Sequence, residues 1–100
     1  MAIASGIPVV ASAATITLAQ SPLHRAVDWI VFASISGTTA ITSITAMAAG
    51  QIAVLHFQST PTLTDGSNLI LAGNLVATAD DTVTLICDGV NWYELCRSVN

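Results

Sequence analysis

The run Gln51-Ile52-Ala53-Val54-Leu55-His56-Phe57, followed by Asn68-Leu69-Ile70-Leu71-Ala72 and Thr82-Val83-Thr84-Leu85-Ile86-Cys87, decides how this chain folds. Each segment is short, apolar and rich in Val, Ile, Thr or Leu, and turn formers flank or separate them: Ala49-Gly50, Asp65-Gly66 and Asp88-Gly89. Glycine reaches the positive φ that tight turns need, and aspartate bonds its own backbone there. The pattern predicts strands. No window sets apolar residues at helical spacing against a charged face. The helix-like Ala46-Met47-Ala48-Ala49 stops at Gly50, so at most one helical turn is expected.

Extended over the whole chain, the same logic predicts strands at 15–18, 29–34, 41–45, 51–58, 68–71, 82–87 and 92–97, with further turns at Ser21-Pro22 and Ser36-Gly37. Turns about every ten residues point to an all-β fold, a small antiparallel sandwich or barrel-like module, rather than to alternating strands and helices. The 100 residues make one domain. Residues 1–20 read as an N-terminal arm or first strand, and 21–100 as the β-domain. No Lys or Arg precedes Arg25, and Gly6 and Pro8 break the first apolar run, so an extended arm is expected there rather than a cleaved leader.

Composition narrows the function classes. The chain is 53% hydrophobic and 8% charged, with a mean hydropathy of +0.73. An ordinary soluble domain carries about 25% charged residues. So much apolar surface on so small a chain predicts burial against another chain, hence an obligate oligomer or a shell component. A membrane helix needs about 20 predominantly apolar residues. Here Ser, Thr, Asn, Gly or Pro interrupts every apolar run, and no membrane partner is expected. Nucleic acid is not expected either: the chain has no lysine, only Arg25 and Arg97, and a net charge of −4.

The last hairpin can be placed residue by residue. If its loop centres on Gly89-Val90, Asp88 faces Asn91 and Cys87 faces Trp92. Regular alternation then puts Val83, Leu85, Cys87, Trp92 and Cys96 on one face, with Glu94 as the polar exception expected to pair with an Arg or reach an edge. Thr82, Thr84, Ile86, Tyr93, Leu95 and Arg97 take the other. Both faces are largely apolar, as for strands buried on both sides or facing a sister subunit. Cys96 would face Val83, on the order of 13 Å from Cys87. A disulfide needs Cα atoms within about 7 Å, so two small buried hydrophobes are expected instead. A single bulge would exchange the faces.

Candidate chemistry is thin. His56 lies on the strand face of Ile52 and Val54 and reads as a packed or interface histidine; His24, beside Arg25 and Asp28, reads as part of a polar cluster. No Gly-x-Ser-x-Gly elbow and no glycine-rich phosphate loop occur. Asp80 and Asp81, with Asp65 or Asp88, are candidate calcium ligands, but no calcium-loop spacing is present. They read as turn formers (Asp65, Asp88) and a solvated loop (Asp80-Asp81). Trp92-Tyr93 could stack on a sugar, although a tryptophan opening the last strand reads more simply as core. No enzyme, no catalytic or metal-binding residue and no cofactor is expected.

Three pieces of this chain resemble a small β-module of tailed-bacteriophage virion proteins. Gly37-Thr38-Thr39-Ala40-Ile41-Thr42-Ser43-Ile44 with the strand from Gly50 to Phe57 is similar to its start. Leu63-Thr64-Asp65-Gly66-Ser67-Asn68-Leu69-Ile70-Leu71 is similar to its middle. Thr78-Ala79-Asp80-Asp81-Thr82-Val83-Thr84-Leu85 with Asp88-Gly89-Val90-Asn91-Trp92-Tyr93-Glu94 is similar to its end. The resemblance implies a homotrimer in the virion, assembled in the host cytoplasm, touching the major capsid protein or other virion subunits. It implies a capsid decoration (cement) protein stabilising the head, with a tail-fibre or spike tip that binds a host receptor as the alternative. It carries no catalytic residue across.

Overall fold

A computed structural model describes residues 8–18 and 30–100. His24, Arg25, Asp28 and the Ser21-Pro22 turn lie outside the described residues. The strands are β1 (Val9–Ala11), β2 (Thr15–Ile16), β3 (Ile30–Ser36), β4 (Ser43–Ile44), β5 (Ile52–Phe57), β6 (Thr62–Leu63), β7 (Leu69–Ile70), β8 (Leu75–Val76), β9 (Thr82–Cys87) and β10 (Trp92–Ser98). No helix occurs among the described residues, and the fold is all-β. One six-stranded sheet runs in the order β1-β3-β5-β9-β10-β7, beside two two-stranded sheets, β2-β4 and β6-β8.

Strand direction departs from the antiparallel expectation. β1 pairs parallel to β3 and β3 parallel to β5, while β2 pairs parallel to β4. The chain therefore lays a strand in the large sheet, crosses to the small one, and returns one strand further along. The sheets form a solenoid-like arrangement rather than a clear sandwich or barrel. Short Gly-marked segments suggested hairpins because turn chemistry does not reveal whether the chain reverses beside its last strand or travels round a corner. Among the described strands, β9 pairs antiparallel to β5 and β10, and β6 to β8, and of these only β9 and β10 are consecutive.

Side chains lock coil to coil. Thr15 Oγ1 lies 2.6 Å from Ser43 Oγ, and Thr17 Oγ1 lies 2.8 Å from Thr45 Oγ1. At the first corner the Ser12 N–H donates to Ser36 O at 2.7 Å, and Ser12 Oγ accepts the Thr39 N–H at 3.0 Å. Gly37 is required there. Its φ is +83°, and a Cβ would stand 2.7 Å from Ser12 Oγ. Asn68 borders the smaller parallel sheet: its Nδ2 donates to Ile44 O at 2.6 Å and its Oδ1 accepts the Ile44 N–H at 3.2 Å, a side-chain substitute for a neighbouring strand.

The core lies between the three sheets. Ile16, Leu18, Val31, Ala33, Ile35, Ile41, Ile44, Ala53, Leu55, Phe57, Leu63, Leu69, Leu75, Ala77, Val83, Leu85, Cys87 and Trp92 form one buried cluster. Ile16 and Leu18 belong to it, so the N-terminal segment contributes both strands and core. Burying one Leu, Ile, Val or Phe side chain stabilises by about 1.5–3 kcal/mol. Trp92 is fully buried, and its Nε1–H points at Thr45 O, 3.4 Å away.

Candidate interaction surface

Alternation along each strand of the large sheet sends one set of side chains into the core and the other outward. The inward set is Val31, Ala33 and Ile35 on β3, Ala53, Leu55 and Phe57 on β5, and Val83, Leu85 and Cys87 on β9. The outward set falls into rows fixed by the pairing registers. Ile30, Ile52, Ile86, Tyr93 and Ile70 stand side by side across the sheet. Phe32, Val54, Thr84 and Cys96 form the next row. Val9, Ser34, His56, Thr82 and Ser98 form the third. Ile30, Phe32, Ile70 and Tyr93 remain 41%, 46%, 45% and 37% exposed. No residue in the three rows carries Asp, Glu, Lys or Arg.

A bulge in β10 shapes this surface and overturns part of the expected hairpin. The pairing runs Trp92 with Cys87, Tyr93 with Ile86 and Glu94 with Leu85, then slips so that Cys96 faces Thr84 and Arg97 faces Val83. Leu95 is the extra residue, 55% exposed. Cys96 therefore turns outward with Thr84 and is exposed, not a buried partner of Val83. Cys87 stays in the core, 3.4 Å from both the N–H and the carbonyl oxygen of Met47. Both thiols are free and lie on opposite faces of the sheet.

The same slip brings Glu94 and Arg97 to one side, where regular alternation separates residues three apart. Arg97 Nε donates to Glu94 Oε2 at 2.7 Å and Nη2 to Oε1 at 2.7 Å. Arg97 Nη2 also donates to Gly73 O at 2.9 Å, and Glu94 Oε1 accepts the Ala72 N–H at 3.0 Å. The pair thus pins the β7–β8 connection to β10. The guanidinium and then the Ala72 N–H hold the Glu94 carboxyl below its ordinary pKa, and Glu94 raises that of Arg97.

At the opposite end of the outward face, three segments converge on His56. Its Nδ1 lies 2.9 Å from Ser34 Oγ and its Nε2 lies 3.0 Å from Asp80 Oδ1. Gln58 Nε2 donates to Ser34 Oγ at 3.1 Å. Sequence spacing gave no signal for this Ser-His-Asp chain, because parallel pairing of β3 with β5 creates it. Its order resembles a hydrolytic triad, but its setting does not suit attack on an ester. Ser34 is only 6% exposed, and its peptide N–H already donates to Pro8 O at 2.8 Å rather than to a developing oxyanion. The chain of groups acts as a polar brace across β3, β5 and the loop before β9. Asp80 takes a left-handed φ of 72°, which Asp tolerates better than most residues, with its N–H donating to Phe57 O at 2.8 Å.

The remaining carboxylates divide by burial. Asp81 is fully buried, which corrects the expectation of a solvated Asp80-Asp81 loop. Its Oδ1 accepts the Asn100 N–H at 2.8 Å, and its Oδ2 accepts the Thr78 N–H at 2.8 Å and Thr78 Oγ1–H at 3.0 Å. These donors, Asn100 first, lower its pKa and tie the C-terminal residue to the loop before β9. Asp88 Oδ1 accepts the Asn91 and Val90 N–H groups at 2.7 and 2.9 Å, closing the hairpin turn, and Tyr93 OH donates to Oδ2 at 3.0 Å. Its pKa is lowered by the same donors, Asn91 first. Asp65 likewise closes its turn by accepting the Leu71 N–H at 2.8 Å. No group of three or more His, Cys, Asp or Glu side chains suited to a metal occurs among the described residues.

No helix among the described residues is long and apolar enough to cross a membrane. Comparison with protein-family models, curated proteins and solved structures gives no match.

Proposed function

We propose that this chain is a structural subunit of a tailed-bacteriophage particle that works as a homotrimer and decorates the capsid as a cement protein. One observation carries the assembly part of the reading. Large apolar side chains, among them Val9, Ile30, Phe32, Ile70, Tyr93 and Leu95, stay outside the buried core. Burial against other chains is the ordinary use of such a surface. The sequence resemblance over roughly residues 36–100 supplies the virion setting, and the internal braces at Glu94–Arg97 and Asp81–Asn100 suit a part that resists deformation. In the mechanism we envisage, apolar burial joins the copies to one another and to capsid subunits, offsetting internal genome pressure.

The test has two stages. Light scattering after size exclusion is expected to give three times the 10.3 kDa chain mass. Heads assembled without the protein are then expected to release their genome at a lower temperature than complete heads; equal thermal release would reject the cement role. A tail-fibre or spike tip is the second reading. It is favoured by the parallel coils, since stacking of that kind extends along one axis. Binding of the purified trimer to host cells, without binding to heads, would select it.

A further inference from the structure

We infer that the outward face of the six-stranded sheet is the surface at which copies of this chain meet, with Cys96 enclosed in the contact. This inference rests on the oligomeric reading above and names the surface it requires.

Apolar side chains are exposed elsewhere too: Val76 on β8, Val90 in the hairpin turn and Val99 near the C-terminus. They stand singly and need no partner. The outward face differs in being continuous. Its first row crosses five strands, and its second adds Phe32 and Val54 beside Leu95 and Cys96. At about 4.8 Å between strands and 3.3 Å per residue, the three rows cover on the order of 500 Å² in plan. Each copy thus offers on the order of 500 Å² of uncharged face, against the roughly 800 Å² that one partner contributes to a standard stable interface.

Charge selects a second copy as the occupant. Each chain carries a net charge of −4, so copies repel one another wherever their charged surfaces meet. The three rows hold no charged residue, and identical chains can approach there without that penalty. An uncharged surface also offers no electrostatic code by which a foreign protein would be recognised. The rim has the opposite character: Asp88 lies beside Tyr93 at one end and Asp80 beside His56 at the other. An apolar centre within a polar border is the ordinary anatomy of an interface. The bulge contributes directly, since it turns Cys96 onto this face next to Leu95.

The chain supplies its own reporter. It has two cysteines, one in the core and one on this face. The native protein, sized by light scattering, is treated with a maleimide, and the labelled positions are mapped by mass spectrometry. In an intact oligomer Cys96 is expected to react roughly 100-fold or more slowly than in a Phe32→Asp variant dispersed to single chains, because the reagent must wait for the contact to open. Val76→Asp, on β8, is expected to leave both the mass and the protection unchanged. Rapid labelling of Cys96 in an intact wild-type oligomer overturns this surface while leaving the oligomeric reading in place. Dispersal by Val76→Asp alone overturns it too. A wild-type monomer with reactive Cys96 overturns both. The wild-type measurement decides the matter even where Phe32→Asp does not fold.

Discussion

Both faces of the six-stranded sheet are built from the same kinds of residue, yet they have different fates. On β5, Ala53, Leu55 and Phe57 are fully buried, while Ile52, Val54 and His56, each one position away, remain partly exposed. On β3 the difference is sharper still: Val31 and Ala33 are buried, and Phe32 between them is 46% exposed. Hydrophobicity therefore does not decide which face becomes core. The two small sheets do, because they pack against one side only. The difference teaches that this fold is complete with one face covered, leaving the other apolar face available for assembly.

Three measurements break or sharpen this comparison. The largest effect belongs to the inner face. Phe57→Ala is expected to lower the unfolding free energy by about 3–5 kcal/mol, from the lost transfer free energy and the cavity left behind. A domain with only about 5–15 kcal/mol in total would then lie close to unfolding. Urea denaturation followed by tryptophan fluorescence checks this, and a loss under 1 kcal/mol would mean that Phe57 is not in a packed core.

The middle effect concerns the carboxylates that hold the sheet's ends. Glu94, Asp81 and Asp88 all have lowered pKa values in the folded state, from ordinary values of 4.5, 3.8 and 3.8. A depressed folded pKa gives stability that is complete above the unfolded value and is lost as the pH falls through the folded one. Stability is thus expected to hold from neutral pH down to about 5 and to fall steadily below about 4. Glu94→Gln is expected to weaken the fold by about 1–2 kcal/mol at pH 7, because Arg97 loses its charged partner, and to flatten the acid limb. Urea midpoints at pH 7 and pH 3 measure both. An unchanged acid limb in the variant would show that Glu94 does not contribute to it.

The smallest effect belongs to the outer face. Val54→Thr is expected to change chain stability by no more than about 0.5 kcal/mol when measured at concentrations where copies are separate. A loss as large as that of Phe57→Ala would show that the outward face is covered within the chain itself, and the contrast between the faces would disappear.

Much of the architecture was legible from residue pattern. The six residues of β9 coincide with the expected strand at 82–87, and β3, β5 and β10 differ from expectation only at their ends. The Asp65-Gly66 and Asp88-Gly89 turns form as their chemistry requires, with Gly66 and Gly89 at positive φ. The short strands β6 and β8 escaped notice, since two residues leave no periodicity to detect. The exposed apolar face was half legible: low charge indicated surplus apolar surface, and the apolar character of both hairpin faces indicated part of where it lies. Cys96 was misplaced because regular alternation conceals a bulge. The Ser34–His56–Asp80 brace was invisible because its members come from separate segments.

By itself, the sequence determined the local chemistry: strand-forming stretches, glycine turns, the Asp88 turn closure and a surplus of apolar side chains. These follow from neighbours within a few residues, where backbone sterics and short-range hydrogen bonds act. Only the tertiary structure decided strand direction, which face is core, and which polar groups meet. Those outcomes depend on pairings between residues 22 to 28 positions apart, such as Ser34 with His56 and Thr15 with Ser43. Parallel and antiparallel neighbours make similar demands on a strand's composition, and a bulge moves side chains across a sheet without changing a residue. The choice between them rests on how the whole set of sheets closes over one shared core.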